Sequence, residues 1–247
     1  MISTNFCLKV LITGAKGLLG TGLLLESPKK YIIIPAFLNN DFVKNKNSNF
    51  IKLDITNKKN VLSVFKKFLP NIVIHTASIG NVYYCEKNKD DAYLVNVVGT
   101  KNIVKACADI VAKIVFLSSN AVFNGLNPPY NEDSPVSPTN YYAKTKVLSE
   151  KIVRNSKIDF LIIRLFLMYG WNYQNERQNP VTWLINKLKN NSKAVMVNDT
   201  YTNPILNIQA AEAIWKLLEK GSKGVFHIAG KERINRFQFA LKTAKVF

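Results

Sequence analysis

The sequence predicts an α/β fold, a doubly wound parallel sheet with a small C-terminal lobe. Short runs of β-formers alternate with helical patterns along most of the chain, and such β-α-β alternation marks a parallel sheet covered on both faces. Glycines at three-residue steps, in "TGAKGLLG", stand where the first strand gives way to the first helix. After about Gly170 the pattern changes to shorter helices and isolated strands, which sets off the lobe. The expected division is residues 1–170 for the sheet domain and 171–247 for the lobe, the two interwoven.

The elements follow in order. Leu8–Thr13 reads as a strand stopped by Gly14, and a helix follows from about Gly17 to Leu25. Tyr31–Phe37 is rich in β-formers, but Pro35 cannot donate to a ladder, so this strand is expected at a sheet edge or to end there. Phe50–Asp54 and Ile72–Thr76 are short strands flanking a helix over Val61–Leu69. A single amphipathic segment is expected over Asp91–Ala108, then a strand over Lys113–Ser118. The next helix carries Tyr142 and turns Val147, Leu148, Ile152 and Val153 inward, and Asp159–Arg164 is the strand after it. In the lobe, helices are expected over Val181–Leu188, Gln209–Leu218 and Phe237–Lys245, and strands over Ala194–Val197 and Val225–Ile228. Asn39–Asn49 shows no clear element, and 124–140 is a Pro-rich loop.

Composition narrows the class of protein. With 247 residues and 47% hydrophobic content, the chain can bury a substantial core. Its apolar runs are short, Phe160–Ile163 being broken by Arg164, and no basic leader precedes an apolar core; neither a membrane span nor a secretory signal is expected. Cys7, Cys85 and Cys107 are scattered without metal-type spacing, which points to a reduced, cytoplasmic setting and no metal site. The formal net charge is +18. It reads either as a polyanion-binding surface or as drift in a chain rich in Lys, Asn and Ile. The lysines are dispersed, as in Lys29–Lys30 and Lys66–Lys67, with no aromatic interleaving, so specific nucleic-acid recognition is not expected.

The glycine string has a chemical reading. Gly14 allows the tight turn, Gly17 lets the backbone approach a pyrophosphate, and Gly20 lets helix and strand pack closely. Phosphates then meet unpaired N–H groups at a helix N-terminus, which makes the sheet Rossmann-type. The second strand runs into Ala36–Asn39, with no carboxylate before Asp41 and with Lys44 and Lys46 beyond. That favours NADP, whose 2′-phosphate needs a cation, with NAD as the alternative. Asp54 ends a strand, where it can accept from an adenine amino group or cap the following helix.

"NYYAKTK" poses the second chemical question. Of its tyrosines and lysines only Tyr142 and Lys146 are four apart, on one helix face. "VFLSSN" puts Ser118 and Ser119 at the exit of the preceding strand. Together these form a Ser–Tyr–Lys set in which Lys146 is expected to lower the pKa of Tyr142. Tyr142 then exchanges a proton with a carbonyl or carbinol oxygen that Ser119 holds.

With "LITGAKGLLG", "PNIVIHTAS", "CEKNKDDAYLVNVVGT", "FLSSNAVFNGLNPPYNEDSPVSPTNYYAKTKVLSE", "IIRLFLMYG" and, more faintly, "GVFHIAG", the sequence resembles the extended short-chain dehydrogenase/reductases. Within them it is similar to the dTDP-4-dehydrorhamnose reductase family and to its relative, the regulatory β subunit of methionine adenosyltransferase. The resemblance implies Ser119, Tyr142 and Lys146 as the catalytic set, Lys146 on the nicotinamide ribose, and Asn96 in support behind the site. It extends the cofactor contacts to Gly14, Lys16, Gly17, Leu18, Leu19, Asp54, Ile55, Thr76, Ala77 and Ser78, and the substrate side to Asn120, Val122, Phe123 and Trp171. The implied activity is NADPH-dependent reduction of a nucleotide-linked 4-keto-6-deoxysugar. Alternatives are a nucleotide-sugar epimerase or dehydratase, or a non-catalytic NADP-binding regulatory subunit. The implied partner is the nucleotide sugar, and a homodimer is compatible with the pattern.

Two departures stand out. The family's Ser-Thr-Asp-Tyr-Val-Phe-Asp-Gly is here Ser118-Ser119-Asn120-Ala121-Val122-Phe123-Asn124-Gly125, which keeps the hydroxyl but loses two carboxylates and a tyrosine. Relatives also run on past the position of Phe247, so part of the sugar-binding lobe is expected to be missing. Other residues carry plainer readings. His75 lines the cofactor pocket or the core, and His227 belongs to the core. Glu132 and Asp133 read as turn formers in the Pro-rich loop, with acids in catalysis as the alternative. Arg164 is either a buried structural cation or a phosphate contact, and Trp171 and Tyr173 either stack on a ligand or pack on the surface.

Overall fold

A computed structural model describes residues 7–38, 49–171 and 177–247. The strands, in chain order, are β1 (Leu8–Thr13), β2 (Tyr31–Phe37), β3 (Ile51–Lys52), β4 (Ile72–His75), β5 (Lys113–Ser119), β6 (Phe160–Leu165), β7 (Met168–Tyr169), β8 (Tyr201–Thr202), β9 (Ile205–Leu206), β10 (Gly224–Ile228) and β11 (Ile234–Asn235). Seven of them form one sheet in the order β10-β6-β5-β4-β1-β2-β3, every pairing parallel. Two small sheets, β7–β9 and β8–β11, lie beyond it in the chain's later part.

The strands read as continuous apolar runs because both faces are covered. Val10 and Ile12 join Ile72, Ile74, Val115 and Leu161 under helices α1 (Leu18–Leu25) and α8 (Asn207–Glu219). Leu11, Val73, Ile114 and Ile162 face the other way. There they meet α2 (Lys58–Phe68), α5 (Gly99–Asp109) and α6 (Tyr141–Arg154). The remaining helices are α3 (Val82–Lys87), α4 (Lys89–Tyr93), α7 (Pro180–Lys189) and α9 (Arg236–Val246). The chain leaves β1 toward β2 and β3, then returns to build β4, β5 and β6 on the other side. The switch point therefore lies between β1 and β4, where open α/β sheets bind ligands.

Several expectations are corrected. β2 is an inner strand only at Ala36 and Phe37, where β3 pairs with it; Pro35 lies just before them, near the strand's end and where β3 does not reach, as expected of a residue that cannot donate to a ladder. Asp91–Ala108 is not one helix. A π-helical turn over Leu94–Val98 separates α4 from α5, and such turns often mark functional positions. Leu148 is 40% exposed, whereas Val147 and Val153 are buried. Ala194–Val197 forms no strand, since no neighbouring strand pairs with it. Val225–Ile228 belongs to the main sheet, as β10 beside β6. No helix among the described residues is long and apolar enough to cross a membrane.

Candidate active site

The glycine turn forms a cradle at the switch point. Gly14 has φ +65°, and a Cβ there would lie 2.8 Å from both Thr76 Oγ1 and Ala77 N. No other residue fits that conformation and that space. Gly17 is the N-cap of α1 and supplies no side-chain cap, so the first N–H groups of the helix are left to an anion. A Cβ on Gly20 would lie 2.5 Å from Gly14 O, so the third glycine lets α1 press against the turn. These features fit a dinucleotide's diphosphate. Lys16 is 9% exposed, with Nζ 4.3 Å over the Phe37 ring at the end of β2. Leu19 is core, and Leu18 gives its carbonyl oxygen to Asn207 Nδ2 at 2.9 Å.

Asp54 does not cap α2. Asn57 does, accepting from Asn60 N, while Asp54 Oδ1 accepts from Thr56 N and Oγ1 at 2.9 and 2.6 Å. Ile55 is buried against Gly99, where a Cβ would meet it at 2.7 Å. Ser78 is half-buried. Asn39, Asp41, Lys44 and Lys46, on which the NADP expectation drew, lie outside the described residues, as does Tyr173.

Behind the cradle runs a fixed hydrogen-bond chain. Ala77 N donates to Thr13 Oγ1 at 3.2 Å, and Thr13 Oγ1 lies 2.8 Å from His75 Nδ1. His75 Nε2 lies 3.1 Å from Thr100 Oγ1, which donates to Asn96 O at 2.6 Å. The Thr100 proton is thus committed to Asn96, so Nε2 must donate to Thr100 and Nδ1 must accept from Thr13. His75 is neutral in one tautomer and lies buried behind the cradle instead of lining it. Burial, and then the charge of Lys146, pull its pKa from 6.5 down to about 3.

A pH dependence follows. Between pH 6.5 and about 3 the unfolded ring holds a proton that the folded ring does not. Stability is therefore whole above 6.5 and falls on acidification through this window, by about 1.4 kcal/mol per pH unit at most. His75→Gln should be less stable at neutral pH yet show a shallower acid slope in urea denaturation. Equal slopes would show that another group carries the effect.

Asn96 sits in the π turn, 2% exposed. Its Oδ1 accepts from Ile79 N at 2.8 Å, and its Nδ2 donates to Ile79 O and Thr145 Oγ1 at 3.1 and 3.0 Å. It clamps the loop after β4 to α6. Ser119 ends β5, and its Oγ accepts from Ala121 N at 3.1 Å. The Ser119 hydroxyl is close enough to the Tyr142 phenol to favour its ionised form, so the two predicted partners do meet. Asn140 Oδ1 accepts from Ala143 N at 2.9 Å, and that cap starts α6 one residue before Tyr141.

Lys146 is 4% exposed, donates to Leu117 O at 2.8 Å, and lies 5.8 Å from the centre of the Tyr142 ring. The expectation that it lowers the Tyr142 pKa is corrected. Burial pushes the phenol above its usual value, and the influences in the other direction are the Ser119 hydroxyl and the charge of Arg177. Lys146 is turned to a backbone oxygen at the ring's face, and its own pKa falls to about 8, because burial outweighs Glu150 and Cys85.

Glu150 was not singled out from the sequence, although Tyr142, Lys146 and Glu150 recur at four-residue steps and so share a face. It takes Arg164 in a two-pronged pair, Nε to Oε1 at 3.0 Å and Nη2 to Oε2 at 2.9 Å, and accepts from Ser118 Oγ at 2.6 Å. Arg164 is thus a buried structural cation, 2% exposed. Its Nη1 donates to Glu132 O at 3.1 Å, and Glu132 Oε1 accepts from His227 N at 2.8 Å. Glu132 therefore ties the Pro-rich loop to β10 in addition to turning it.

The substrate-side residues divide. Asn120 is half-buried beside Ser119. Val122 is fully buried, and Phe123 stacks on Tyr130 at 4.4 Å, so both side chains pack the interior and not the cleft wall. Trp171 meets Phe247 edge-on at 5.9 Å and lines an apolar cavity of about 370 Å³ with Tyr169, Phe239 and Val246. None of Ser119, Tyr142 and Lys146 lines that cavity. Among the described residues no cluster could hold a metal ion.

A parallel seven-stranded sheet with its glycine cradle at the switch point is a Rossmann-like α/β fold. The chain belongs to the family described as RmlD substrate binding domain, whose model matches residues 8–247. Among solved structures it is similar to a dTDP-4-dehydrorhamnose reductase from Clostridium acetobutylicum, with TM-score 0.85 and 30% identity over 97% of this chain and 80% of that one. It is equally similar to the Bacillus anthracis dTDP-4-dehydrorhamnose reductase solved with NADP, with TM-score 0.85 and 30% identity over 96% and 80%. Methionine adenosyltransferase 2 subunit beta of Rattus norvegicus is 27% identical over 97% of this chain and 72% of its own.

Proposed function

We propose that the chain is an NADP-dependent reductase of a nucleotide-linked 4-keto-6-deoxysugar. The observation that carries this is the meeting of Ser119 and Tyr142, with Lys146 against the same ring, at the sheet edge that bears the glycine cradle. Gly14, Gly17 and the first turn of α1 would hold the cofactor's diphosphate, with Lys16 toward its adenosine end, and the group when bound would supply the hydride. Ser119 holds the substrate carbonyl oxygen, and Tyr142 gives that oxygen its proton. A phenol whose pKa is raised keeps its proton at neutral pH, as a general acid must. Residues 1–170 carry the cofactor side and 171–247 the substrate side, with α8 and β10 woven back into the sheet domain. The test is oxidation of NADPH, followed spectrophotometrically, with dTDP-4-keto-6-deoxymannose as substrate.

NADPH is expected to bind about tenfold more tightly than NADH, as a charge-assisted contact to a 2′-phosphate allows, with the gap shrinking in salt. Lys16→Ala should close most of that gap in a binding titration. Equal affinities for the wild-type chain at low salt would remove the NADP preference.

A second reading, a non-catalytic regulatory subunit, is favoured by the likeness to methionine adenosyltransferase 2 subunit beta. It is distinguished by tight dinucleotide binding without turnover of any keto sugar.

A further inference from the structure

The sequence leaves the +18 charge between a binding surface and drift, and the fold shows how that charge is laid out. Helices α2, α5 and α6 pack side by side on one face of the sheet, through Val61, Phe65, Ile103, Val104 and Val153. Their outer surfaces are nearly of one sign. α2 exposes Lys58, Lys59, Lys66 and Lys67 and holds no acidic residue. α5 adds Lys101 and Lys105, and α6 adds Lys144, Lys151 and Arg154. The one exposed carboxylate on these three helices is Asp109. Among the described residues only Arg154 of this set has an ion-pair partner, the buried Glu150 at 3.8 Å. On the other face α8 mixes signs, and its Glu212 and Glu219 pair with Lys216 and Lys30.

Drift adds lysines wherever a surface tolerates them, but it does not clear carboxylates from one face and keep them on the other. Helix dipoles do not explain the pattern either. They favour cations in a last turn, as at Lys66, Lys67 and Lys151, and disfavour them in a first turn, where Lys58, Lys59 and Lys144 stand. A second observation lies where α2 and α5 end. The turns into β4 and β5 are made by Leu69 and Val111, both with left-handed backbone, at φ +47° and +57°. Glycine suits that conformation, and a side chain there is strained, a β-branched one most of all. Neither residue recovers the cost by packing, since they are 56% and 86% exposed. The two turns are neighbours: Lys113 N donates to Asn71 O at 3.0 Å, two residues beyond each tip. They stand at the start of β5, opposite the end that carries Ser119. Lys66 and Lys67 precede one tip, and the exposed Lys157 makes the next turn along the edge, before β6.

We propose that this corner of the protein docks on an anionic lipid bilayer. Leu69 and Val111 enter the headgroup layer, and the lysines of the three helices lie against its negative surface. Duplex DNA offers the same charge but no apolar layer for two aliphatic tips. Docking this way turns the strands' carboxyl ends, and with them Ser119, away from the membrane. The inference is independent of the reductase reading.

The test is co-sedimentation of the full chain with vesicles of phosphatidylcholine, alone or mixed with phosphatidylglycerol. Binding is expected only with phosphatidylglycerol and should fade as salt rises. Lys66→Gln/Lys67→Gln should weaken it about 10- to 30-fold, since each lysine near such a surface is worth about fivefold. Lys216→Gln/Lys220→Gln, at the end of α8, removes the same charge from the other face and should leave binding unchanged. Leu69→Gly/Val111→Gly suits the left-handed turns, so this variant should fold normally yet bind vesicles several-fold more weakly. Circular dichroism checks that each variant is folded. No sedimentation with phosphatidylglycerol at low salt overturns the proposal. So does an equal loss in the two lysine pairs, which would show that net charge alone acts. Wild-type vesicle binding by the glycine variant overturns it as well, and tighter binding of a DNA duplex than of vesicles would reassign the surface to nucleic acid.

Discussion

Tyr142→Phe is expected to lower turnover by about 10²–10⁴-fold, the usual contribution of a positioned general acid. The ring would remain in place, since the substitution removes only the hydroxyl that meets Ser119. NADPH affinity should therefore change little. Tyr141→Phe is the control. Tyr141 engages the site's surroundings through its backbone N–H, which donates to Glu86, and its ring lies beside Lys89. Its hydroxyl has no part in the trio, so this variant should keep near-normal turnover. Steady-state kinetics on both proteins decides the matter, and two variants behaving alike would show that the wrong tyrosine has been chosen.

Glu150→Ala should destabilise the fold by about 3–5 kcal/mol, because it strands a buried guanidinium. Arg164 would keep only Glu132 O and a distant contact to His227, and Ser118 would lose its acceptor. Urea denaturation measures the change. The exposed Lys223–Asp159 pair is the comparison, since breaking a solvent-screened pair should leave stability almost unchanged. Similar losses at the two sites would refute the buried-pair argument. Glu150 also supports the charge of Lys146 against burial. With the lysine near pH 8, a function that needs its charge is present below that value and lost as pH rises through it. Removing Glu150 should move this alkaline loss to lower pH.

The sheet was legible because its strands are covered on both faces and so read as unbroken apolar runs. The cradle was legible because Gly14 meets a steric demand that only glycine satisfies. Tyr142 and Lys146 could be paired because helical spacing fixes which side chains share a face. What spacing cannot give is where a long side chain ends. Lys146 turns to Leu117 O, and Arg177 crosses from another part of the chain to Gly80; both are decided by tertiary contacts. The π turn was hidden for a similar reason. Its residues suit an ordinary helix, and the wider turn is selected where Asn96 must reach Ile79 and Thr145. Val122 and Phe123 were placed on the substrate side by resemblance alone, whereas their packing against Val147 and Tyr130 depends on the Pro-rich loop folding back.

Helix α1, which bears the cradle, carries eight residues without a single charge. Its neighbour is α8, whose first residue, Asn207, donates to Leu18 O across 189 positions of chain. Gly22 is pressed so closely to Asn207 that a Cβ would lie 2.7 Å from its oxygen, and Trp215 Nε1 donates to Leu23 O. On the ribosome α1 emerges well before α8, and at about 5–20 residues per second its partner arrives only some ten to forty seconds later. Throughout that interval an oily helix waits uncovered. The nascent chain thus passes through an aggregation-prone stage before the glycine turn is braced, and the rate of synthesis up to α8 sets how long that stage lasts.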